Sequence, residues 1–411
     1  LAGGRSGLPH VLTMKPSLPS APQIARMPLR ERGNTRSVTR ERQARMGESS
    51  AVRFGLLGAG LIAPFHAKAI AAAEGCELAA IADLNIERAR AVAAQFGCGA
   101  HGSLEELLAD ESVDVVNIVT PNHLHAEPAI AAAKGGKHVL VEKPPAMSLA
   151  DVDRMVEAAD AAGVKLGCVL NCRVRKAVQA VREALAVGRF GRILQADAYM
   201  KWYRDDEYYL SNDWHNKRRT GAGVTIMQLF HYLDLLRYFA GPVSRVEARM
   251  TNLAHPEVKL DDTAMAFLNY ECGTVGAVVA STALWPGTAA RLEINGENGT
   301  AIMVGERIAM WNFRDERPED EAIRCIGSEA VGTGATGAAD INFVGHQGII
   351  EGMARAVRED VDPLVTASDA RQTLELALAM YLAAGRGEPV DLPLQLDDEE
   401  EVWRAGEESG T

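Results

Sequence analysis

The chain has 411 residues, 47% hydrophobic and 24% charged, enough to bury a large core divided between two domains. Its net charge of −12 hides an asymmetry: residues 1–50 carry nine Lys and Arg against three Glu, and the remainder 34 against 52. An acidic body argues against a nucleic-acid surface, and no apolar run approaches the roughly 18 residues that span a bilayer.

The basic leader, residues 1–50, is rich in Arg, Pro and Ser without apolar periodicity, and is expected to be disordered. It lacks the compact apolar segment of a secretory signal. Six cysteines (Cys76, Cys98, Cys168, Cys172, Cys272 and Cys325) show no CxxC pair, which suits reduced thiols in the cytoplasm and predicts no metal site. From Val52 short apolar runs alternate with helical patterns: VRFGLLG, then Leu61–Ala73; ELAAIAD, then Glu87–Phe96; VDVVNIVT, then His123–Lys134; HVLVEKP, then Ser148–Ala162; VKLGCVLN, then Val174–Val187. This alternation predicts a doubly wound parallel sheet, a Rossmann-type α/β domain over 51–171. Ser103 with Glu106 and Ser148 with Asp151 have capping-box spacing.

After Gly191 longer strands of alternating polarity are predicted at Ile193–Arg204, Val243–Asn252, Thr263–Ser281, Ala290–Val304 and Arg307–Phe313, with a helix at Val224–Phe239. They predict an α+β domain over 172–395 with a large, mostly antiparallel open sheet, closed by helices near Gly345–Arg358 and Ser368–Ala384. An open sheet needs a cover, so a homodimer or homotetramer is expected. The stretch 396–411, with DDEEE at Asp397–Glu401, reads as a solvated acidic tail.

Between the first strand and helix lies G-x-G-x-x-A, Gly58 to Ala63. Gly58 permits the turn, Gly60 lets a pyrophosphate approach the backbone, and Leu61 and Ile62 open the helix toward the phosphates. Asp83 ends the second strand, placed to bind ribose hydroxyls and repel a 2′-phosphate. Leu84 follows with no adjacent arginine, so NAD is expected rather than NADP. Lys143, at the carboxyl end of a parallel strand, can hydrogen-bond a substrate hydroxyl beside the cofactor crevice.

GAGLIA, Asp83, TPNHLH at Thr120–His125 and VEKP at Val141–Pro144, followed by a sheet-rich half containing H-x-x-D, resemble the Gfo/Idh/MocA oxidoreductases over roughly Val52 to Leu394. The resemblance implies that Thr120, Pro121, Asn122, His125, Glu142 and Lys143 approach the cofactor, that Lys143 also meets substrate, and that the Lys143–Pro144 bond is often cis. It also implies a catalytic pair of Lys143 and His231. Met227, His231 and Asp234 are spaced i, i+4, i+7, so one helix face should present them together. Met227 stands where the family commonly has Asp, and a thioether cannot accept a proton.

Gln228 and the aromatic stretch from Trp202 resemble a subgroup thought to act on sugars or sugar nucleotides. Tyr208, Tyr209 and Trp214 suit the apolar faces of a sugar ring, and Arg204 could clamp a carboxylate or phosphate. The expected reaction is NAD-dependent oxidation of a secondary hydroxyl of a sugar, sugar acid, glycoside or sugar nucleotide. Two alternatives are a glycoside-cleaving or eliminating enzyme with internally recycled NAD and a non-catalytic NAD-binding regulator.

Overall fold

The computed structural model describes residues 51–327, 335, 343–395 and 400–408; the leader 1–50 and residues 397–399 of the acidic run lie outside them. In chain order the first half runs β1 (Val52–Leu57), α1 (Ala63–Ala72), β2 (Cys76–Ala82), α2 (Ile86–Phe96), β3 (Gly99–His101), α3 (Leu104–Ala109), β4 (Val115–Ile118), α4 (Ala126–Lys134), β5 (His138–Glu142), α5 (Leu149–Ala162), β6 (Leu166–Val169) and α6 (Lys176–Ala186). The strands form a parallel sheet in the order β3-β2-β1-β4-β5-β6. Helices cover both faces, so Val52, Phe54, Leu56 and Leu57 of β1 are all buried and the strand reads as a continuous apolar run. Strand order reverses between β1 and β4, and the crevice outside their carboxyl ends is where such sheets bind ligands. Ser103 and Ser148 cap α3 and α5, accepting the Glu106 and Asp151 amides at 3.2 and 3.1 Å.

The second half contains β7 (Ile193–Lys201), α7 (Asp206–Leu210), α8 (Gly223–Met227), α9 (Phe230–Ala240), β8 (Val243–Thr251), β9 (Thr263–Tyr270), β10 (Val275–Ser281), β11 (Arg291–Gly296), β12 (Gly299–Val304), β13 (Arg307–Phe313), α10 (Asp320–Arg324), α11 (Val344–Glu359), α12 (Ala367–Arg386), β14 (Val390–Asp391) and α13 (Glu400–Glu408). Its sheet runs β13-β12-β11-β7-β10-β9-β8-β14 and is antiparallel except for the β7/β10 pair. Two segments expected as single strands are hairpins. Thr263–Ser281 reverses at Gly273, whose φ of +84° favours glycine, and Ala290–Val304 reverses between Gly296 and Gly299. One face is buried under α9 and α12; on β9 the other leaves Met265 and Phe267 exposed.

The expected division at residue 171 is crossed by the chain. Helix α11 packs on α1, β1, β2 and β6 of the parallel sheet, while α12 touches α5 and β6 as well as β8 and α9. The Cys168 amide bonds the Val365 carbonyl at 3.0 Å, joining β6 to the segment before α12.

The solvated-tail expectation is corrected for the described part of that segment. Helix α13 packs on α12, with Val402 and Trp403 buried, Trp403 tilted against Tyr381 at 5.8 Å, and Glu400 and Glu401 paired with Arg219 and Arg386. The acidic residues occupy the wet side of an amphipathic helix whose apolar side is spent on the core. Among the described residues no helix is long and apolar enough to cross a membrane.

Candidate active site

The cofactor end is built by the β1–α1 turn. Gly58 has φ +107° and a Cβ there would lie 2.9 Å from the Val119 carbonyl oxygen, so only glycine fits. A Cβ on Gly60 would meet no protein atom within 4 Å, leaving its approach open to a ligand. Ala63 is fully buried, and Ile62 at the helix start gives no side-chain cap; the Ala63 and Phe65 amides turn back to the Gly60 and Ile62 carbonyls at 3.2 and 3.1 Å, so the turn closes on its own backbone. Asp83 accepts the Ala59 and Asn85 amides, both at 2.8 Å, which fixes its carboxylate at the end of β2. Leu61 and Leu84 are 72% and 92% exposed, apolar surface suited to covering by a flat base. These features fit NAD.

The sequence reading missed Arg88, whose Nη2 lies 2.9 Å from Asp83 Oδ1 from the first turn of α2. Asp83→Ala is expected to weaken NADH binding about ten-fold and to narrow the preference against NADPH. The ribose loses its acceptor while Arg88 is released toward a 2′-phosphate. Fluorescence titration with both reduced cofactors measures this, and an unchanged ratio would count against the assignment.

The Thr120–His125 segment turns over β4. Thr120 Oγ1 donates to the Leu124 carbonyl at 3.2 Å, and Pro121 opens a 3-10 turn over Asn122–Leu124. Asn122 is buried, its Nδ2 3.4 Å from Met227 Sδ. His125, expected at the cofactor, is instead a strut: its fully buried ring places Nδ1 2.8 Å from the Pro144 carbonyl and Nε2 2.9 Å from that of Thr120. Burial pushes its pKa down, and the two carbonyls oppose that shift.

Lys143 and Glu142 end β5, before a cis Lys143–Pro144 bond. Lys143 Nζ donates to the Met227 carbonyl at 2.7 Å. Burial lowers its pKa, with Glu142 opposing. Glu142 turns inward: Oε2 accepts the Lys143 amide at 2.9 Å and Oε1 lies 2.8 Å from His66 Nε2. Burial alone would raise this carboxyl, but His66, aided by His346 and Lys143, brings it down to about 2. His66, Glu142 and His346 place three metal-capable donor atoms within 4.8 Å of one another, a cluster that a search by cysteine and histidine spacing missed.

The helix expected at Val224–Phe239 is broken. Helix α8 stops at Met227, Gln228 departs with φ −119°, and α9 begins at Phe230. The break follows from how α8 is held. Gly223 has φ +49°, and a side chain there would overlap the Asp261 carboxylate, whose Oδ2 accepts from Thr225 N and Oγ1 at 3.1 and 2.8 Å. Ala222, at φ +61°, is kept in the left-handed region with its carbonyl bonded by Tyr381 Oη at 2.6 Å.

Met227 therefore offers its carbonyl to Lys143, while His231 stands on the next helix. His231 Nδ1 is buried with no partner, and burial together with Lys143 drives the ring well below its ordinary value. Asp234 does not join them. It is buried against Arg173, with contacts of 2.8 and 2.5 Å, and accepts from Thr373.

Of the expected substrate contacts, Gln228 and Tyr208 come together: Gln228 Nε2 donates to Tyr208 Oη at 3.0 Å, while the buried Gln228 Oε1 has no partner. Trp214 packs on His215, which stacks on Tyr208. Tyr209 is instead a packing residue, buried with Val258 and Leu260 and bonded to Thr282 Oγ1 at 2.6 Å. Arg204 is buried beside Trp202 and Tyr208, its Nη1 donating to the Tyr203 carbonyl at 2.7 Å.

Comparison with known proteins agrees with this geometry. Residues 52–169 match the oxidoreductase family with NAD-binding Rossmann fold, and residues 178–302 match the GFO/IDH/MocA C-terminal domain. The chain is 39% identical to 1,5-anhydro-D-fructose reductase of Ensifer adhaerens over 45% of its own length and 56% of that protein's, little more than half the relative. It is 30% identical to myo-inositol 2-dehydrogenase of Thermotoga maritima over 65% and 79%. The WlbA dehydrogenase from Bordetella pertussis, solved with NADH and UDP-GlcNAcA, superposes with a TM-score of 0.76 at 34% identity, covering 84% of this chain and 99% of that one. The coverage extends through both sheets, and the chain belongs to the Gfo/Idh/MocA family of NAD-binding oxidoreductases.

Proposed function

We propose that this protein oxidises a secondary ring hydroxyl of a sugar-like substrate, with a nucleotide-linked sugar acid as the first candidate. The carrying observation is that Lys143 Nζ bonds the Met227 carbonyl, next in sequence to Gln228 with its partnerless Oε1, and acts electrostatically on His231, whose Nδ1 is also partnerless. Buried polar atoms without partners are costly, and a ring bearing several hydroxyls would satisfy them. The extent of the likeness to WlbA, solved with UDP-GlcNAcA, supports the nucleotide-linked form.

Bound NAD supplies the hydride acceptor. The Met227 carbonyl takes one Lys143 N–H and orients Nζ. Lys143 takes up the hydroxyl proton and holds the developing negative charge on oxygen. His231, kept neutral by burial, can then take that same proton on from Lys143. Gln228 Oε1 accepts from a neighbouring substrate hydroxyl or amide.

Incubation with NAD and a panel of UDP-sugar acids, free sugars, inositols and glycosides, read at 340 nm and by product mass, tests the assignment. NADH with loss of two hydrogens from one substrate supports it. Cleaved product without NADH, or binding without turnover, overturns it.

A pH dependence follows from the two shifts. Both bases have lowered values, so each is unprotonated at lower pH than usual: His231 below its ordinary 6.5 and Lys143 below its ordinary 10.5. The kcat/KM for oxidation is expected to rise with pH along a limb centred below 10.5, without a loss of activity centred at 6.5. A limb centred at 6.5 that disappears in His231→Asn would contradict the buried-base assignment.

A homodimer or homotetramer is proposed through the open sheet face, supported by exposed Leu194, Met265, Phe267, Val275 and Met310; light scattering tests it, and a monomer would refute it. A cytoplasmic setting is proposed from six unpaired cysteines, and cell fractionation tests it.

A further inference from the structure

Behind Lys143 lies a buried polar assembly that the proposed reaction does not use directly. His66 is fully buried on α1, the helix whose amino terminus faces the pyrophosphate approach. Its Nδ1 lies 2.7 Å from Asn117 Oδ1 on β4, and Asn117 Nδ2 donates to the Leu140 carbonyl at 3.2 Å. That second bond orients the amide so that its oxygen meets His66, which places a hydrogen on Nδ1. Nε2 then faces Glu142 Oε1 at 2.8 Å. Two lone pairs cannot meet at that separation, so a proton lies between them.

His346 is buried and arrives from α11, near the far end of the chain. Its ring packs edge-on to His66 at 4.9 Å, with Nε2 3.8 Å from the same Glu142 oxygen and Asn171 Nδ2 3.1 Å away. The other Glu142 oxygen holds the Lys143 amide. The carboxylate is thus tied to α1, α11 and the backbone of Lys143. With methionine at 227, Glu142 is the carboxylate whose charge reaches both Lys143 and His231.

We propose that His66 and His346 are positioning residues which, through Glu142, fix Lys143 against the substrate hydroxyl and couple it to the cofactor helix. The inference rests on the dehydrogenase reading for its kinetic consequence, but not for the tether itself.

The test uses the full chain with His66→Gln, His346→Gln, Glu142→Gln and the His66→Gln/Glu142→Gln double variant. With the substrate identified by the panel, each single variant is expected to lower kcat by about 10- to 100-fold, the range seen when a group that orients a ligating or reacting residue is removed. The KM and the NADH dissociation constant should stay within about three-fold, because both histidines are buried and spend their ring nitrogens on protein side chains. The double variant should be no worse than the more impaired single one, since both act on one chain of contacts.

In parallel, the rate at which acetic anhydride acylates Lys143 is followed by peptide mass with no substrate present. A change of about ten-fold or more in the variants supports the tether even if the parent oxidises nothing in the panel. An unchanged acylation rate overturns the tether, as does a kcat within two-fold of the parent. Equal losses of kcat, NADH affinity and melting temperature would mean simple loss of structure. One equivalent of tightly held zinc in the parent, removed by chelator together with activity, would make the three donors a metal centre instead.

Discussion

Lys143→Met is expected to lower kcat/KM by about three orders of magnitude, roughly 4 kcal/mol of transition-state stabilisation, while NADH binding changes less than about three-fold. Methionine keeps much of the apolar stem but removes the amine, leaving the Met227 carbonyl without its donor at 2.7 Å. Both the proton acceptor and the group that holds the developing oxyanion disappear together. Lys143→Arg should fare little better, because guanidinium stays protonated and its planar fork cannot reproduce one amine directed at a carbonyl and a hydroxyl. Steady-state kinetics with an NADH titration on the same samples separates chemistry from cofactor binding. A loss smaller than ten-fold would remove Lys143 from the reacting centre.

Asp234→Ala is expected to act on stability instead, costing about 3 kcal/mol with kcat of the folded enzyme within about three-fold of the parent. Asp234 is buried and takes two contacts from Arg173, which also reaches Asp369 on α12 at 2.5 Å. Removing Asp234 strands a buried guanidinium against a half-exposed partner. Chemical denaturation gives the cost. A large fall in kcat without a fall in stability would place Asp234 at the reacting centre beside His231, with which it was expected to share a helix face.

These expectations differ because the region around His231 was legible in composition but not in course. The parallel sheet was readable because strands buried on both faces are nearly continuous apolar runs, and the capping serines state where helices begin. Gly58, Gly60 and Asp83 could be assigned because turn, phosphate approach and ribose acceptor are local demands of one strand-turn-helix unit. The Val224–Phe239 segment has no comparable mark at Gln228. Its break depends on Asp261, which lies 36 positions beyond Thr225, and on Tyr381 of a distant helix. The break separates Met227 from His231, whereas Asp234 shares helix α9 with His231 and is drawn away by its bonds to Arg173.

Arg204, Tyr209 and His125 also have protein partners that the sequence did not show. Arginines, tyrosines and histidines near a site resemble ligand contacts in sequence, and their bonds to particular carbonyls and hydroxyls are visible only in the fold. The same lack of local signal hid His66 and His346, separated by 280 positions. Trp403 and Val402 were obscured by the acidic residues around them, whose charge described only one side of a helix.

By itself, the sequence determined the architecture of both halves, the cofactor turn and the candidate base Lys143, because each depends on periodicity or on a conformation local to a few residues. Tertiary structure alone decided which polar residues are bonded to distant protein partners, which keep buried atoms without one, and that helices α11 and α12 return to the parallel sheet. Those outcomes depend on burial and on partners far apart in the chain, and neither is encoded in the spacing of neighbouring residues.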